Sequence, residues 1–383
     1  MSKYGVSTKF CQLLGLKVPL IQSPMAGAST PRMASEVNKN GGLGSIPLGS
    51  IDLRKGIDEM RKEVSEFINL TPNDPTLVNL NFFCHEIVNE ASATQQNNWW
   101  ELYSEAVPSI RELRENSTSK VSFENGSCSF REIEQKYPSI LLDVFGYLKE
   151  VQPKVVSFHF GIPSKETIIR LQKMGILVFL SVTSVDEARA AAQANIDGLV
   201  CQGYEAGGHR GNFLSTENLD KKLSTLSLFT QIQSIGLKHE DREVFVIPAG
   251  GITDGKTIDN YLKLGAAAVQ MGTLFLATPE SKTNQFYRDE LERDAQLDTV
   301  MTSLVSGKRA RAIKTPFLSK LIDTQRVKVY QLPPYGLMYN AFKDLKGLVK
   351  DQDLGVYFAS DKYPSIKSGL TTCEVVRELS KDL

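Results

Sequence analysis

From residue 18 to residue 277 the chain alternates short, continuously apolar runs with amphipathic stretches, and no other feature restricts the fold so strongly. VPLIQSPMAG (18–27), LGSIPLG (43–49), LVNLNFF (77–83), KVVSFHFG (154–161), LVFLSVT (177–183), GLVC (198–201), VFVIPAGG (244–251) and AAAVQMGTLFLA (266–277) read as strands. Helical segments separate them. In TPRMASEVNKNGG (30–42) Thr30 caps, Pro31 takes the first position and the glycine pair ends the helix. DLRKGIDEMRKEVSEFI (52–68) has helical spacing, and in SVDEARAAAQAN (184–195) Ser184 and Glu187 form a capping-box pattern. Continuous apolar strands between helices imply a parallel sheet covered on both faces. Eight such units predict a closed (β/α)8 TIM barrel rather than an open doubly wound sheet.

Residues 1–282 then form the barrel, with a helical insertion at about 84–135 that holds Trp99 and Trp100 as a local core or rim patch. Residues 283–348 are expected to form a C-terminal helical cap, and residues 349–383 to end in a helix, CEVVRELSKDL, returning to the barrel wall. Within the cap, KRARAIK (308–314) reads as a solvated helix face or an anion contact.

Lys plus Arg and Asp plus Glu both number 44, so no net basic field draws a nucleic acid backbone. Five scattered cysteines without a CxxC pair suggest reduced thiols, and neither a zinc ribbon nor another metal site is expected. No secretory h-region and no uncharged apolar run of about twenty residues stands out. A cytoplasmic protein with no membrane contact is the expectation.

In a barrel, function gathers where the strands end, and here glycine recurs: PMAGA, HFGIP, QGYEAGGHRG (202–211), PAGGI and QMGT. Gly250-Gly251 and Gly272-Thr273 follow strands seven and eight, where free backbone N–H groups would cradle a phosphate; tight strand-to-helix turns are the plainer alternative. Asn81 and Gln202 are strand-end amides that could meet a flat heterocycle or simply link neighbouring strands. Asn79 shares the face of Asn81, so the period of two cannot choose between them. His209 stands inside the glycine-rich strand end, where it could take a proton from carbon or donate to a carbonyl. His85 and His159 also lie near strand ends, and His239 falls in the charged stretch KHEDRE and is expected to be exposed.

Together, PLIQSPMAGASTPRMASEVNKNGGLGS, QGYEAGGHRG, PAGGI and QMGTLFLAT resemble the class I nitronate monooxygenases, formerly called 2-nitropropane dioxygenases. SFHFG and NLNFFCH are similar to fungal members, and the resemblance continues more weakly through SGKRARAIKTPFL. It implies FMN at the barrel mouth, with Met25 and Ala26 facing the ring system, and Asn81, Gln202 and Gly207 touching the flavin. Gly250, Gly251, Gln270, Gly272 and Thr273 would hold the ribityl and phosphate groups. His209 matches the catalytic base toward neutral nitroalkanes. The implied reaction oxidises alkyl nitronates, propionate 3-nitronate among them, with molecular oxygen to a carbonyl compound and nitrite. One electron passes from the nitronate to FMN, and no nicotinamide cofactor takes part. YFASDKYPSIKSG departs from the family, with Ser360 where glycine is expected, which leaves the tail's contact with the flavin open. Tyr335 and Tyr339 are candidates for the substrate pocket. An FMN-dependent NADH:quinone or enoyl-acyl carrier protein reductase is the nearest alternative, and a non-catalytic flavin-binding protein the second. Oligomeric state stays open.

Overall fold

The computed structural model describes residues 5–115, 121–214, 219–239, 242–293, 298–349, 354–366, 369–381 and 383. Eight strands form one parallel sheet: β1 (Leu20–Gln22), β2 (Gly44–Pro47), β3 (Val78–Phe83), β4 (Val155–His159), β5 (Leu177–Val182), β6 (Gly198–Gln202), β7 (Phe245–Ala249) and β8 (Val269–Met271). Their order is β1-β8-β7-β6-β5-β4-β3-β2. The ends of that order meet where Leu43 donates to the carbonyl of Leu20 and Gln22 donates to the carbonyl of Leu43. The sheet therefore closes into a (β/α)8 TIM barrel. Closure explains the apolar runs, because each strand is buried both by the bore and by the helices around it.

The helices begin where short polar side chains can satisfy first-turn N–H groups. Thr30, Ser164, Ser184, Ser224 and Asp254 each accept from a backbone N–H three residues on, ahead of Pro31–Lys39, Lys165–Lys173, Val185–Gln193, Thr225–Ser234 and Gly255–Lys263. Each such cap contributes about 1 kcal/mol. Only half of the capping box at Ser184 forms. The Glu187 carboxylate turns away to accept from the Thr183 N–H and hydroxyl and from the N–H groups of Phe213 and Leu214. It anchors the chain just beyond the glycine-rich motif.

Several elements differ from the sequence reading. The eighth apolar run is a strand only over Val269–Met271; Gly272 breaks it and Thr273–Leu276 coils into a short helix. The run from residue 52 is a 3-10 turn, Leu53–Lys55, and then a helix, Asp58–Leu70, separated by Gly56. KRARAIK is not helical, and only its ends reach solvent. Ala310–Ile313 is a buried strand in a three-stranded antiparallel ribbon with Thr299–Thr302 and with Gly208–His209. Its arginines mislead because the Arg311 donors are satisfied by the chain rather than by water: its guanidinium donates to the carbonyl of Tyr204 and to the hydroxyl of Thr299. His239 lies in a two-residue strand, Lys238–His239, whose histidine side chain is outside the described residues.

Three hydrophobic clusters result. One fills the barrel and the space under its helices. A second packs Phe10 and Leu14 of the first helix against Ile21, Val155, Phe179 and Ile247 of the strands. The third joins the insertion to the segment after the barrel, with Trp99 stacked on Tyr103 at 4.4 Å beside Phe317 and Phe342. The segment after residue 282 thus contains the helices Gln285–Glu292, Pro316–Asp323 and Leu337–Leu348 together with the two ribbon strands. The helix Thr372–Ser380 packs against Pro31–Lys39 and Gly255–Lys263 on the outside of the barrel. Among the described residues, no helix is long and apolar enough to cross a membrane.

Candidate active site

A cavity of about 460 Å³ opens at the carboxyl ends of the strands. That volume is within the range of small-molecule sites, about 300–1,000 Å³. Every residue that the family resemblance assigns to the site lies on its wall: Met25, Ala26, Asn81, Gln202, Gly207, His209, Gly250, Gly251, Gln270, Gly272 and Thr273. Register brings them level, since Gln202 pairs with Ala249 and Ala249 with Gln270 across β6, β7 and β8.

The two amides differ in what they leave for a ligand. Asn81 donates from Nδ2 to the Ser157 hydroxyl at 2.9 Å and to its carbonyl at 3.3 Å, so Oδ1 is its free end. Gln202 uses both ends on the chain: Nε2 donates to the carbonyl of His209 and Oε1 accepts from the N–H of Gly211. It is the clamp that holds the glycine-rich loop to the end of β6. Asn79, the alternative to Asn81, points down the bore to the Ser45 hydroxyl. It does not line the cavity.

At one end of the cavity are the two glycine turns. Gly250 has φ 118° and Gly251 φ 66°, and a Cβ on Gly250 would stand 2.8 Å from that of Ala206. Only glycine fits such a turn. The N–H groups of Gly250, Gly251 and Gly272 have no protein acceptor among the described residues, and Thr273, first in its helix, has no intrahelical one. The helix that follows Gly251 is already capped by the Asp254 carboxylate. Donor capacity for an anion is therefore in the turns and not in that helix. Across the same end runs the chain's tail: Ser360 donates its N–H to the Thr273 hydroxyl, and Asp361 donates to the carbonyl of Glu205. A Cβ on Gly207 would stand 2.5 Å from the backbone of Ala359. This glycine admits the tail's backbone, which the sequence alone did not suggest.

His209 sits in an aromatic wall of the same cavity, with ring centroids of Phe358 at 5.0 Å, Tyr335 and Tyr339 at 5.6 Å and Phe160 at 6.0 Å. Its strand pairs with Ala310 and Arg311, and Arg210 beside it is buried in an ion pair with Asp220 at 2.9 Å. Nε2 of His209 lies 2.9 Å from the hydroxyl of Ser306. Withdrawal from water, with His159 and Lys308 adding to it, pushes the His209 imidazole down to about 3. His159, whose Nε2 is 3.4 Å from the carbonyl of His209, is pushed down to about 4 by burial. Burial raises Tyr335 and Tyr339, so both phenols stay protonated at neutral pH. The site thus offers a neutral imidazole and neutral hydroxyls facing apolar space. Among the described residues no group of three His, Cys, Asp or Glu side chains is placed to hold a metal ion.

Sequence reasoning missed Ser306, Phe160, Tyr287 and Phe358. Phe160 left a trace in the doublet SFHFG, and Ser306 in SGKRARAIK, though that stretch was read as helix. Tyr287 donates to the carbonyl of Phe358 and so ties the tail to the helix Gln285–Glu292. No local pattern announces that contact.

The family model described as Nitronate monooxygenase matches residues 7–382. A Saccharomyces cerevisiae protein, named provisionally as a nitronate monooxygenase, is 39% identical over 99% of this chain and 93% of its own length. The nitronate monooxygenase of Pseudomonas aeruginosa is 35% identical, covering 89% of this chain and 88% of its own. The solved nitroalkane oxidase of Streptomyces ansochromogenes superimposes with a TM-score of 0.78 at 26% identity, covering 97% of this chain and 96% of that one. FabK from Thermotoga maritima, at 24% identity and a TM-score of 0.66 over 98% of this chain and 95% of that one, shares the fold.

Proposed function

The chain belongs to the nitronate monooxygenase family, and from that premise we propose that it uses FMN and molecular oxygen to oxidise alkyl nitronates to a carbonyl compound and nitrite. It is an oxidoreductase. The observation that carries the finer reading is the pairing, in one cavity, of acceptor-free N–H groups at Gly250, Gly251 and Gly272 with a neutral His209.

Those turns fit a phosphate, because they line the cavity with N–H groups that have no protein acceptor, and Ala206 leaves no room for a side chain at Gly250. Gly250, Gly251, Gly272 and Thr273 would hold the phosphate end of FMN, while Met25, Ala26, Asn81 and Gln270 would face the rest. Bound FMN supplies the one-electron redox chemistry. The chain's own part is placement and proton transfer. A neutral His209 accepts the proton from the carbon next to a nitro group, so that a nitroalkane can enter as its nitronate. The phenols of Tyr335 and Tyr339 donate to the substrate's oxygens, and Phe160 and Phe358 keep bulk water off the base.

The test is oxygen uptake and nitrite release by the flavin-loaded protein on adding a preformed alkyl nitronate, with NADH in parallel. Uptake with nitronate alone is expected. Uptake only with NADH would move the chain to the reductases. In His209→Asn, turnover of neutral nitroalkanes should fall about 100-fold or more while preformed nitronates are still oxidised.

A further inference from the structure

We infer that Ser306 is a positioning residue that fixes the neutral tautomer of His209, placing the hydrogen on Nε2 and leaving Nδ1 as the proton acceptor; this rests on the reading of His209 as a base. Ser306 is 1% exposed, in the turn joining the ribbon strands Thr299–Thr302 and Ala310–Ile313. Its Oγ is 2.9 Å from Nε2 of His209 and 2.9 Å from the carbonyl oxygen of Lys308.

A hydroxyl has one hydrogen, and a carbonyl can only accept. The 2.9 Å contact to Lys308 therefore holds the Ser306 hydrogen, since otherwise two sets of lone pairs would face each other at that distance. Toward His209 the same oxygen then has only lone pairs, so Nε2 must be the donor. In a neutral imidazole the other nitrogen is bare. Nδ1 has no hydrogen-bond partner among the described residues, on a side chain that lines the cavity.

The proton step balances on this arrangement. The C–H bond beside the nitro group breaks, its hydrogen passes to Nδ1, and its electron pair forms the C=N bond of the nitronate. The negative charge moves to the nitro oxygens, and the imidazolium charge strengthens the Nε2–H to Ser306 bond. Ser306 touches no reacting atom. It acts through His209, and the ribbon strand Ala310–Ile313 sets its distance by pairing Ala310 with His209.

The experiment is nitrogen-15 NMR of histidine-labelled, flavin-loaded protein, with the His209 signals assigned by their loss in His209→Asn. Wild type should show a pyrrole-type Nε2 and a pyridine-type Nδ1 at neutral pH. A protonated Nδ1 in wild type would overturn the inference without any variant. Ser306→Ala should lose the single tautomer and slow neutral nitroalkanes about 10- to 100-fold, with preformed nitronates changed less than about threefold. Ser306→Thr should restore both. Ser306→Ala with an unchanged tautomer and an unchanged nitroalkane rate would also overturn it. If wild type shows the expected tautomer but turns over no nitroalkane, the base reading fails and the positioning stands.

Discussion

Phe160 holds φ 75°, a conformation costly for a bulky residue, at the wall of the cavity. It persists because the ring is packed on every side: Phe83 at 5.0 Å, Tyr335 at 5.3 Å and the Lys308 ammonium at 5.0 Å over its face. Gly250 is the opposite case, where strain is avoided by having no side chain. Gly250→Val should fold yet bind FMN at least 10-fold more weakly, because the φ of 118° disfavours valine and its Cβ meets Ala206. Flavin absorbance per protein after purification reads this directly, and a stoichiometric yellow protein would remove Gly250 from the phosphate site. These residues also show the limit of local signals. PAGGI announced a glycine turn, but nothing in YEAGGH said that Gly207 would meet Ala359, far along the chain.

Among the elements, the most consequential is the two-residue strand Gly208–His209. It is too short to persist alone, and three interactions fix it. The ribbon pairs with its backbone, the Gln202 amide clamps the His209 carbonyl and the Gly211 N–H, and Arg210 anchors it to the carbonyls of Gln202 and Thr183 and to the Asp220 carboxylate. Burial would raise Asp220, but the hydrogen bonds and charge of Arg210 outweigh it and hold the carboxyl below its ordinary value. Removing Asp220 leaves the buried Arg210 charge without its carboxylate, whereas Asp220 also has Arg309 at 3.9 Å. Asp220→Ala should cost about 3–5 kcal/mol in urea unfolding, while Arg210→Met with Asp220→Leu should recover much of that loss. A single variant as stable as wild type would show that the pair is not fully desolvated in solution. If the pair holds His209 in place, the double variant should remain stable and still oxidise preformed nitronates, with neutral nitroalkanes slower.

At the scale of the whole molecule, the barrel withdraws three imidazoles from water. His85 and His159 are pushed down to about 4 and His209 to about 3, with burial the leading cause in each. The unfolded chain takes up these protons at the ordinary value near 6.5, before the folded chain can. Stability is therefore full above about pH 6.5 and falls as pH drops toward 4, each imidazole contributing to that loss. Urea midpoints at pH 7 and pH 5 test this. Equal midpoints would mean that water reaches these rings. The sequence by itself determined the barrel and the strand-end composition of its cavity, because the pattern of apolar runs, caps and glycine turns is local and each piece is legible within ten residues or so. It could not place KRARAIK, since a buried arginine is recognisable only once Tyr204 and Thr299 are there to accept from it. Nor could it tell that Gln202 clamps a loop, that the tail crosses Gly207, or that Ser306 lies against His209. Those contacts join residues 7, 152 and 97 positions apart, and only the closed barrel brings their partners together.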